Sequence, residues 1–224
     1  MSKKISIAII PIFLLLLATA TVAYAMWSET LRINVTAKTG EVNWGFSSTA
    51  IVLDSCDTTP SNDYNATGYP NLGGMTGVTQ LTKDVGCTST SLMDSDNDGD
   101  YDTLNVTIHN GYPWYYSHIE FFVCNEGTIP IKIWRVVINN GTHDLMYYAL
   151  AERVELDLTG DGNADVAMWW GDNFGVQLEP EPPNHCADIS FDLTVLQGAP
   201  ENRTLTFQLS LDAIQWNEYE ENVP

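Results

Sequence analysis

The sequence predicts an all-β protein, namely a jelly-roll or immunoglobulin-like β-sandwich. Apolar and polar residues alternate along several segments of the chain, and a period of two marks strands with one buried face. Segments rich in Gly, Asn, Asp and Ser separate these strands, as they do in sandwiches. The chain has 224 residues, of which 44% are hydrophobic, so it is long enough to bury one sizeable core.

The predicted strands follow one another through the second half of the chain. Their buried-face residues are Leu104, Val106 and Ile108; Ile119, Phe121 and Val123; Ile189, Phe191, Leu193 and Val195; and Leu205, Phe207, Leu209, Leu211 and Ala213. The alternation slips at Ala213-Ile214, which predicts a bulge in the last strand. Residues 131–138 are apolar on both faces apart from Lys132 and Arg135, which predicts a central strand. Residues 142–153 show helical spacing and predict a helix.

Residues 1–25 have the pattern of an export signal. Lys3 and Lys4 precede an apolar run over residues 5–23, and Ala23-Tyr24-Ala25 forms a small-x-small cleavage site. Cleavage there leaves a mature chain that starts at Met26, so the protein is predicted to be secreted to the cell exterior. A retained signal-anchor and a type IV pilin cut before the apolar run are the alternatives. The mass of the mature N-terminus distinguishes the three.

The mature chain begins directly with a predicted strand, residues 26–38. Its apolar face consists of Leu31, Ile33, Val35 and Ala37. Residues 39–224 are predicted to form a single sandwich with a loop-rich insertion at about 54–102. A terminal strand that no domain precedes can pair with a neighbouring molecule as a donor strand. Pairing within its own sandwich is the alternative.

An acidic loop over residues 94–102 is the strongest chemical motif. Carboxylates recur at every second position and Gly99 occupies the sixth, a spacing that lets a short loop direct its oxygens at one hard cation, of which calcium is the natural choice. Asn105 stands where an EF-hand has a bidentate Glu, and a solvated acidic hairpin is the alternative. The predicted metal ligands are Asp94, Asp96, Asp98, Asp100 and Asp102.

A second loop, residues 157–165, keeps the same spacing between two predicted strands. Its predicted calcium ligands are Asp157, Thr159, Asp161, Asn163 and Asp165. A simple turn is the alternative, because Gly-Asp-Gly-Asn is a favourable turn sequence. Both sites are predicted to be structural, since each is a closed set of oxygens without a nucleophile nearby.

Four cysteines in an exported chain predict two disulfides, with three pairings open. Pairing Cys56 with Cys87 would close the insertion and pairing Cys124 with Cys186 would join neighbouring strands, so these two bonds are favoured over buried free thiols. Five Asn-x-Thr sequons predict N-linked glycans on an exported chain. They begin at Asn34, Asn65, Asn105, Asn140 and Asn202.

Composition and motifs argue against several functions. The formal net charge is −20, and the seven basic residues after residue 25 form no cluster, which argues against a nucleic-acid partner. No HExxH, GxSxG, P-loop or dinucleotide fingerprint is found, so no catalytic residue is predicted and the chain is expected not to be an enzyme. A hydrolase with a dispersed site remains an alternative. So does a surface-layer or carbohydrate-binding module that uses the aromatic runs 112–116 and 169–170.

The run AYAMWSETLRINVTAKTGEVNW, residues 23–44, resembles the start of the TasA/camelysin-like secreted proteins, and within them the archaeal members that include bundling-pilus subunits. NEGTIPIKI (125–133), DLTGDGNADVA (157–167) and FQLSLDAIQWNEY (207–219) extend the resemblance, whereas residues 54–100 match no family feature. The resemblance implies a jelly-roll-like sandwich whose identical subunits build extracellular fibres, as a pilus or a biofilm matrix. Some relatives are described as proteases, so a secreted metal-dependent protease is the alternative it implies.

Overall fold

The computed structural model describes residues 10–19, 36–47, 49–58, 61–68, 75–142, 144–148, 152–171 and 173–219. The chain divides into two units, residues 1–39 and residues 40–224. In the first unit, residues 10–19 form a helix. No helix in the described ranges is long and apolar enough to cross a bilayer.

The second unit contains the strands of the described chain. They are β1 (Trp44–Phe46), β2 (Ile51–Val52), β3 (Tyr64–Ala66), β4 (Val78–Gln80), β5 (Cys87–Met93), β6 (Thr103–His109), β7 (Tyr115–Asn125), β8 (Ile131–Asn139), β9 (Asp144–Tyr148), β10 (Glu152–Leu156), β11 (Val166–Trp170), β12 (Gln177–Leu178), β13 (Cys186–Val195) and β14 (Leu205–Gln215).

Two antiparallel sheets pack together as a sandwich, as the sequence predicts. The first sheet has the order β10-β11-β13-β7-β3-β4, and β1 and β2 also pair with β7. The second has the order β12-β8-β14-β6-β5, and β9 also pairs with β8. The long central strands β7, β8, β13 and β14 supply the inner faces of both sheets.

The edge of β7 that faces away from β13 is covered by three short strands in turn. β1 pairs with residues 123–125, β2 with residues 119–120 and β3 with residues 115–116. Together these three strands lie at both ends and at the middle of β7. The N-terminal part of the sandwich unit is therefore fixed to the first sheet.

Aromatic rings on four neighbouring strands form the centre of the core. Phe191 stacks on Phe121 with ring centroids 5.9 Å apart, and it contacts Trp170 at 5.5 Å. Phe121 meets Phe46 edge-on at 4.8 Å. Trp170, Phe121 and Phe191 are fully buried, and such rings account for much of the apolar area that a sandwich removes from water.

The last strand shows how the sequence pattern becomes structure. Leu205, Phe207, Leu209 and Leu211 are buried, and the residues between them are exposed or half-buried. The predicted bulge is present: Asp212 pairs with Arg135 but Ala213 pairs with Ile133. The extra residue is thus Trp134. It belongs to β8, so the bulge that was predicted in the last strand lies in the strand that pairs with it. The central strand predicted at residues 131–138 is also confirmed, as β8.

Two sequence expectations differ from the structure. The helix predicted over residues 142–153 is wrong, because this segment forms β9, which pairs with β8, and the start of β10. Pairing with a sheet edge outweighs weak helical spacing. The insertion 54–102 is less loop-rich than expected, since it contains β3, β4 and β5, and Ala66 and Thr88 are fully buried.

Both predicted disulfides are present, Cys56–Cys87 and Cys124–Cys186. Cys124 and Cys186 are direct cross-strand neighbours on β7 and β13. Of the predicted donor strand, Leu31, Ile33 and Val35 lie outside the described residues. Residues 36–38 have no regular secondary structure and Ala37 is exposed.

Candidate metal sites and an open strand edge

The first acidic loop connects β5 to β6 and brings three carboxylates together. Oxygens of Asp94, Asp96 and Asp98 all lie within 4.8 Å of one another. The loop turns back on itself through Gly99, whose φ of +108° favours glycine. Within the loop, Asp94 accepts a hydrogen bond from the Gly99 N–H at 3.2 Å. The three carboxylates could therefore bind one hard cation.

Two features of these carboxylates fit a cation. One oxygen of Asp94, Oδ1, is buried and has no hydrogen-bond partner in the described chain. Partial desolvation within the loop, followed by the negative charges of Asp98 and Asp102, raises the pKa of Asp96 above its usual value. A divalent ion would supply the missing partner and relieve the repulsion between the acids.

The other two predicted ligands have different roles. Asp100 accepts a hydrogen bond from the Asn43 side chain at 2.9 Å, and Asp102 accepts bonds from the backbone N–H and the hydroxyl of Ser95. A Cβ on Gly45 would meet Asp100 at 3.2 Å, so glycine lets the loop approach β1 closely. These contacts hold the loop against the sandwich and leave Asp94, Asp96 and Asp98 as the converging set.

The second loop, between β10 and β11, is closed mainly by its own backbone. Asp157 accepts hydrogen bonds from Gly160 N–H at 2.6 Å and from Gly162 N–H at 2.8 Å, and the bonds from these amides, led by Gly162, lower its pKa. Asp161 accepts the Asn163 N–H at 2.8 Å. In the described chain, no three carboxylates of this loop converge as those of the first loop do.

Asp165 is the one ligand candidate of the second loop that is fully buried. Its Oδ2 accepts hydrogen bonds from the N–H groups of Leu158 and Thr159, at 2.8 and 3.0 Å. Its Oδ1 has no partner among the described residues, and burial raises the pKa of Asp165. This oxygen is the feature that fits a cation in the second loop, with Thr159 on the exposed side of the turn.

The first loop also borders a cavity of about 400 Å³. Its lining consists of Val42, Asn43, Trp44, Ser95, Asp96, Asp98, Asp102, Thr103, Ser210, Leu211, Asp212 and Ala213. β6 starts at Thr103, opposite Ser210, so among the described strands residues 211–215 of β14 pair only with β8. The cavity therefore lies along an open edge of a central strand.

Two histidine-containing groups bear on the hydrolase alternative. His118 Nδ1 lies 2.8 Å from Asp192 Oδ1, which also accepts a hydrogen bond from the Tyr116 hydroxyl at 2.7 Å. No serine, threonine or cysteine joins this group in the described contacts. His185 lies beside Cys124 and Cys186, but both sulfurs are in a disulfide and cannot bind a metal as thiolates.

The aromatic runs proposed for sugar stacking are internal only in part, since Tyr112, Trp114 and Trp169 are half-buried. Tyr115 and Trp170 are fully buried and Tyr116 is nearly so, which removes their faces from any ligand. Among the sequons, Asn202 is exposed in a turn, whereas Asn65 and Asn105 lie half-buried on strands. The Asn140 amide donates to the Asp157 carbonyl, and Asn34 lies outside the described residues. Glycosylation stays a prediction.

The sequence motifs did not reveal two features of the structure, the open edge of β14 and the buried pair Asp54 and Asp63. The open edge of β14 follows from a difference in strand length, since the last alternating run is longer than the run of β6, its neighbour; this signal was present in the sequence. The other group contains Asp54 and Asp63, isolated acids in a polar segment, and no spacing marks them.

No protein-family model matches the chain, and no curated protein or solved structure matches it. The class is therefore defined by the structure: an all-β sandwich with two disulfides and an acidic hairpin loop beside an open strand edge. Two disulfides are typical of proteins that fold in an oxidising environment.

Proposed function

We propose that this protein is the structural subunit of an extracellular filament, a pilus or a biofilm-matrix fibre. Each mature chain would donate residues 26–38 to the next subunit and accept the same segment from the previous one. The observation that carries the proposal is the open edge of β14 beyond Ser210, together with the cavity beside it. The resemblance of residues 23–44 to fibre-forming secreted proteins supports the same function.

The dimensions of the open edge suit a short donated strand. Residues 211–215 extend over about 17 Å at about 3.4 Å per residue. An inserted strand would continue the line of β6 and bond to the free backbone groups of β14, which is β-strand addition. With alternate apolar residues, two or three donor side chains would reach the cavity beside Leu211 and Trp44, which pack on or in the core.

Charge supports the same pairing. The cavity rim carries Asp96, Asp98 and Asp102, whereas the donor segment carries Arg32 and Lys38 against a single acid, Glu29. Oppositely charged surfaces favour encounter and fix the register of a strand. A chain with net charge −20 would otherwise repel its copies.

The direction of donation determines the assembly. The donor segment and the acceptor edge are different surfaces, so the contact is heterologous. Such contacts extend without closing and yield a fibre. Calcium in the first loop would order the acidic rim of the acceptor, so we also propose that it stabilises the filament. Secretion, cleavage after Ala25 and glycosylation of exposed sequons belong to this proposal.

Deleting residues 26–38 tests the proposal. The shortened protein should fold with an unchanged circular dichroism spectrum and remain monomeric by size-exclusion chromatography. A synthetic peptide of residues 26–38 should bind it. Filaments that persist in electron micrographs without this segment would refute donor-strand assembly.

Two point variants make the test sharper. Ile33→Asp places a charge on the proposed apolar face of the donor strand and should abolish filaments. Thr30→Asp, the matched control, adds the same charge on the opposite face without altering a sequon and should leave most assembly intact. Equal effects of the two variants would show that the segment does not act as an alternating strand.

A further inference from the structure

A pair of buried carboxylates lies where the insertion joins the sandwich, next to the Cys56–Cys87 disulfide. Asp63 is 0% exposed and Asp54 is 4% exposed. Asp54 directly precedes the segment that bridges to β5, and its carbonyl accepts the Thr88 N–H at 3.0 Å. Asp63 directly precedes β3. Both residues are thus held by strand pairing, and neither belongs to the two acidic loops.

Each carboxylate has one satisfied oxygen and one without a partner. Asp63 Oδ1 accepts hydrogen bonds from the N–H groups of Val85 and Gly86, at 2.8 and 3.3 Å. Asp54 Oδ1 accepts a bond from the Ser61 hydroxyl at 2.7 Å. In the described chain, Oδ2 of each is buried and has no hydrogen-bond partner. Two such oxygens in one region are unusual, since buried polar groups are nearly always paired.

The charge of Asp63 also acts on Asp54. Burial raises the pKa of Asp54, and the negative charge of Asp63 adds to this effect. Desolvation, then a hydrogen bond to Asp63 and the charge of Asp63, raise the pKa of Tyr112. Desolvation, then the charge of Asp54 and a hydrogen bond to it, raise the pKa of Tyr115. The two phenols therefore lie beside the pair, although no hydrogen bond of normal geometry reaches an Oδ2 atom of either carboxylate. Tyr115 bonds to the Thr88 hydroxyl at 3.2 Å. The surroundings are therefore oxygen atoms of carboxylates and hydroxyls, which are the ligands of a hard cation.

No positive side chain neutralises the pair. Among the described residues, no Lys, Arg or His makes an ion pair with Asp54 or Asp63. Lys83, the nearest candidate in sequence, has its ammonium group 3.7 Å above the Tyr112 ring. Phenol hydroxyls can donate hydrogen bonds but bring no charge. Buried charges in proteins are either paired or bound to metal ions.

We propose that Asp54 and Asp63 bind one divalent cation of the calcium class through their Oδ2 atoms. The hydroxyls of Tyr112 and Tyr115, which lie beside Asp63 and Asp54, would be the neutral oxygens of the site, and the Thr88 hydroxyl would hold Tyr115 in place. This third site ties the insertion to the start of β7, whose first residue is Tyr115. It does not depend on filament assembly, so it can be tested on monomeric protein.

Native mass spectrometry of the mature chain in calcium, with the ions per chain counted, tests the site. A variant with both acidic loops disabled, Asp96→Ala, Asp98→Ala, Asp157→Ala and Asp161→Ala, should retain one ion. Adding Asp63→Asn should remove that ion or weaken its binding at least about tenfold. Asp54→Asn should do the same, and it serves if Asp63→Asn does not fold. If the four-alanine variant does not fold, Asp63→Asn or Asp54→Asn is introduced into the wild-type chain instead, where each should lower the number of bound ions by one.

Asp84→Asn is the matched control, because Asp84 is exposed and its charge acts on Asp54 from outside the pair. It should keep the ion. Absence of a retained ion in a folded loop-disabled variant would overturn the proposal. So would an ion that survives both Asp54→Asn and Asp63→Asn. An equal loss of stability on chelation in the loop-disabled variant and in the same variant carrying Asp63→Asn would also refute the metal site.

Discussion

Removing the Cys56–Cys87 disulfide should lower the free energy of unfolding by about 3.7 kcal/mol. The bond joins residues separated by 31 positions, and the value follows from the loop-closure entropy that the bond removes from the unfolded chain. The folded state should keep its local hydrogen bonds, such as Cys56 N–H to the Thr88 carbonyl at 3.1 Å. The double variant Cys56→Ala/Cys87→Ala should therefore fold, with a melting temperature lower by roughly 7–15 °C.

Urea unfolding at fixed calcium, followed by tryptophan fluorescence, measures this loss. The variant Cys124→Ala/Cys186→Ala is a matched comparison, because its bond closes a separation of 62 positions and should be worth about 4.3 kcal/mol by the same relation. The second loss should thus exceed the first by about 0.6 kcal/mol. A loss below about 1 kcal/mol for the Cys56–Cys87 bond would show that the insertion is constrained in the unfolded chain by other means.

Three further results are expected. Excess chelator should lower the melting temperature of the native protein in differential scanning fluorimetry. When calcium stands at 100 times its dissociation constant, the stabilisation lost on chelation is about 2.7 kcal/mol. Asp96→Ala/Asp98→Ala should reduce the difference between the two buffers, and an identical melt of the native protein in both would contradict the prediction. The pKa of Asp192 is lowered. Burial alone would raise it, but the hydrogen bonds from His118, from Tyr116 and from the Met75 N–H outweigh the effect of burial. Its stabilisation is present above pH 3.8 and is lost as the pH falls through the lower folded pKa, so Asp192→Asn should flatten acid unfolding in this range. Phe191→Ala should cost about 3–5 kcal/mol in urea unfolding, and a loss under about 1 kcal/mol would contradict its place at the core.

The strands that the sequence predicts best are those whose two faces have different surroundings. β14 alternates because Leu205, Phe207 and Leu209 face the core while Thr206 faces water. A strand buried on one face therefore has a hydrophobic pattern with a period of two. Residues 142–153 mislead because the outer strand β9 is only partly buried, and its pattern depends on β8, a partner that local spacing does not reveal.

The candidate sites also differ in how far the sequence alone could predict them. The first acidic loop was predictable because its ligands are close in sequence, and Asp94, Asp96 and Asp98 do converge. Asp100 does not, because its partner Asn43 comes from a distant segment. Asp54 and Asp63 meet only after the insertion has folded on β7. The disulfide pairings were predictable because Cys56 and Cys87 bracket the insertion, while Cys124 and Cys186 lie at the ends of two predicted strands.

The covering of β7 by β1, β2 and β3 has a consequence for how this sequence can change. Each short strand is anchored by its own two or three residue pairs, so a shift in one does not move the register of the others. The connection between β1 and β2 can therefore gain or lose residues while the sandwich stays intact, and so can the part of the β2–β3 connection that lies between Cys56 and Asp63. Relatives of this protein should differ most in length there, and the same connections are suitable places to graft a peptide epitope for display on a cell surface.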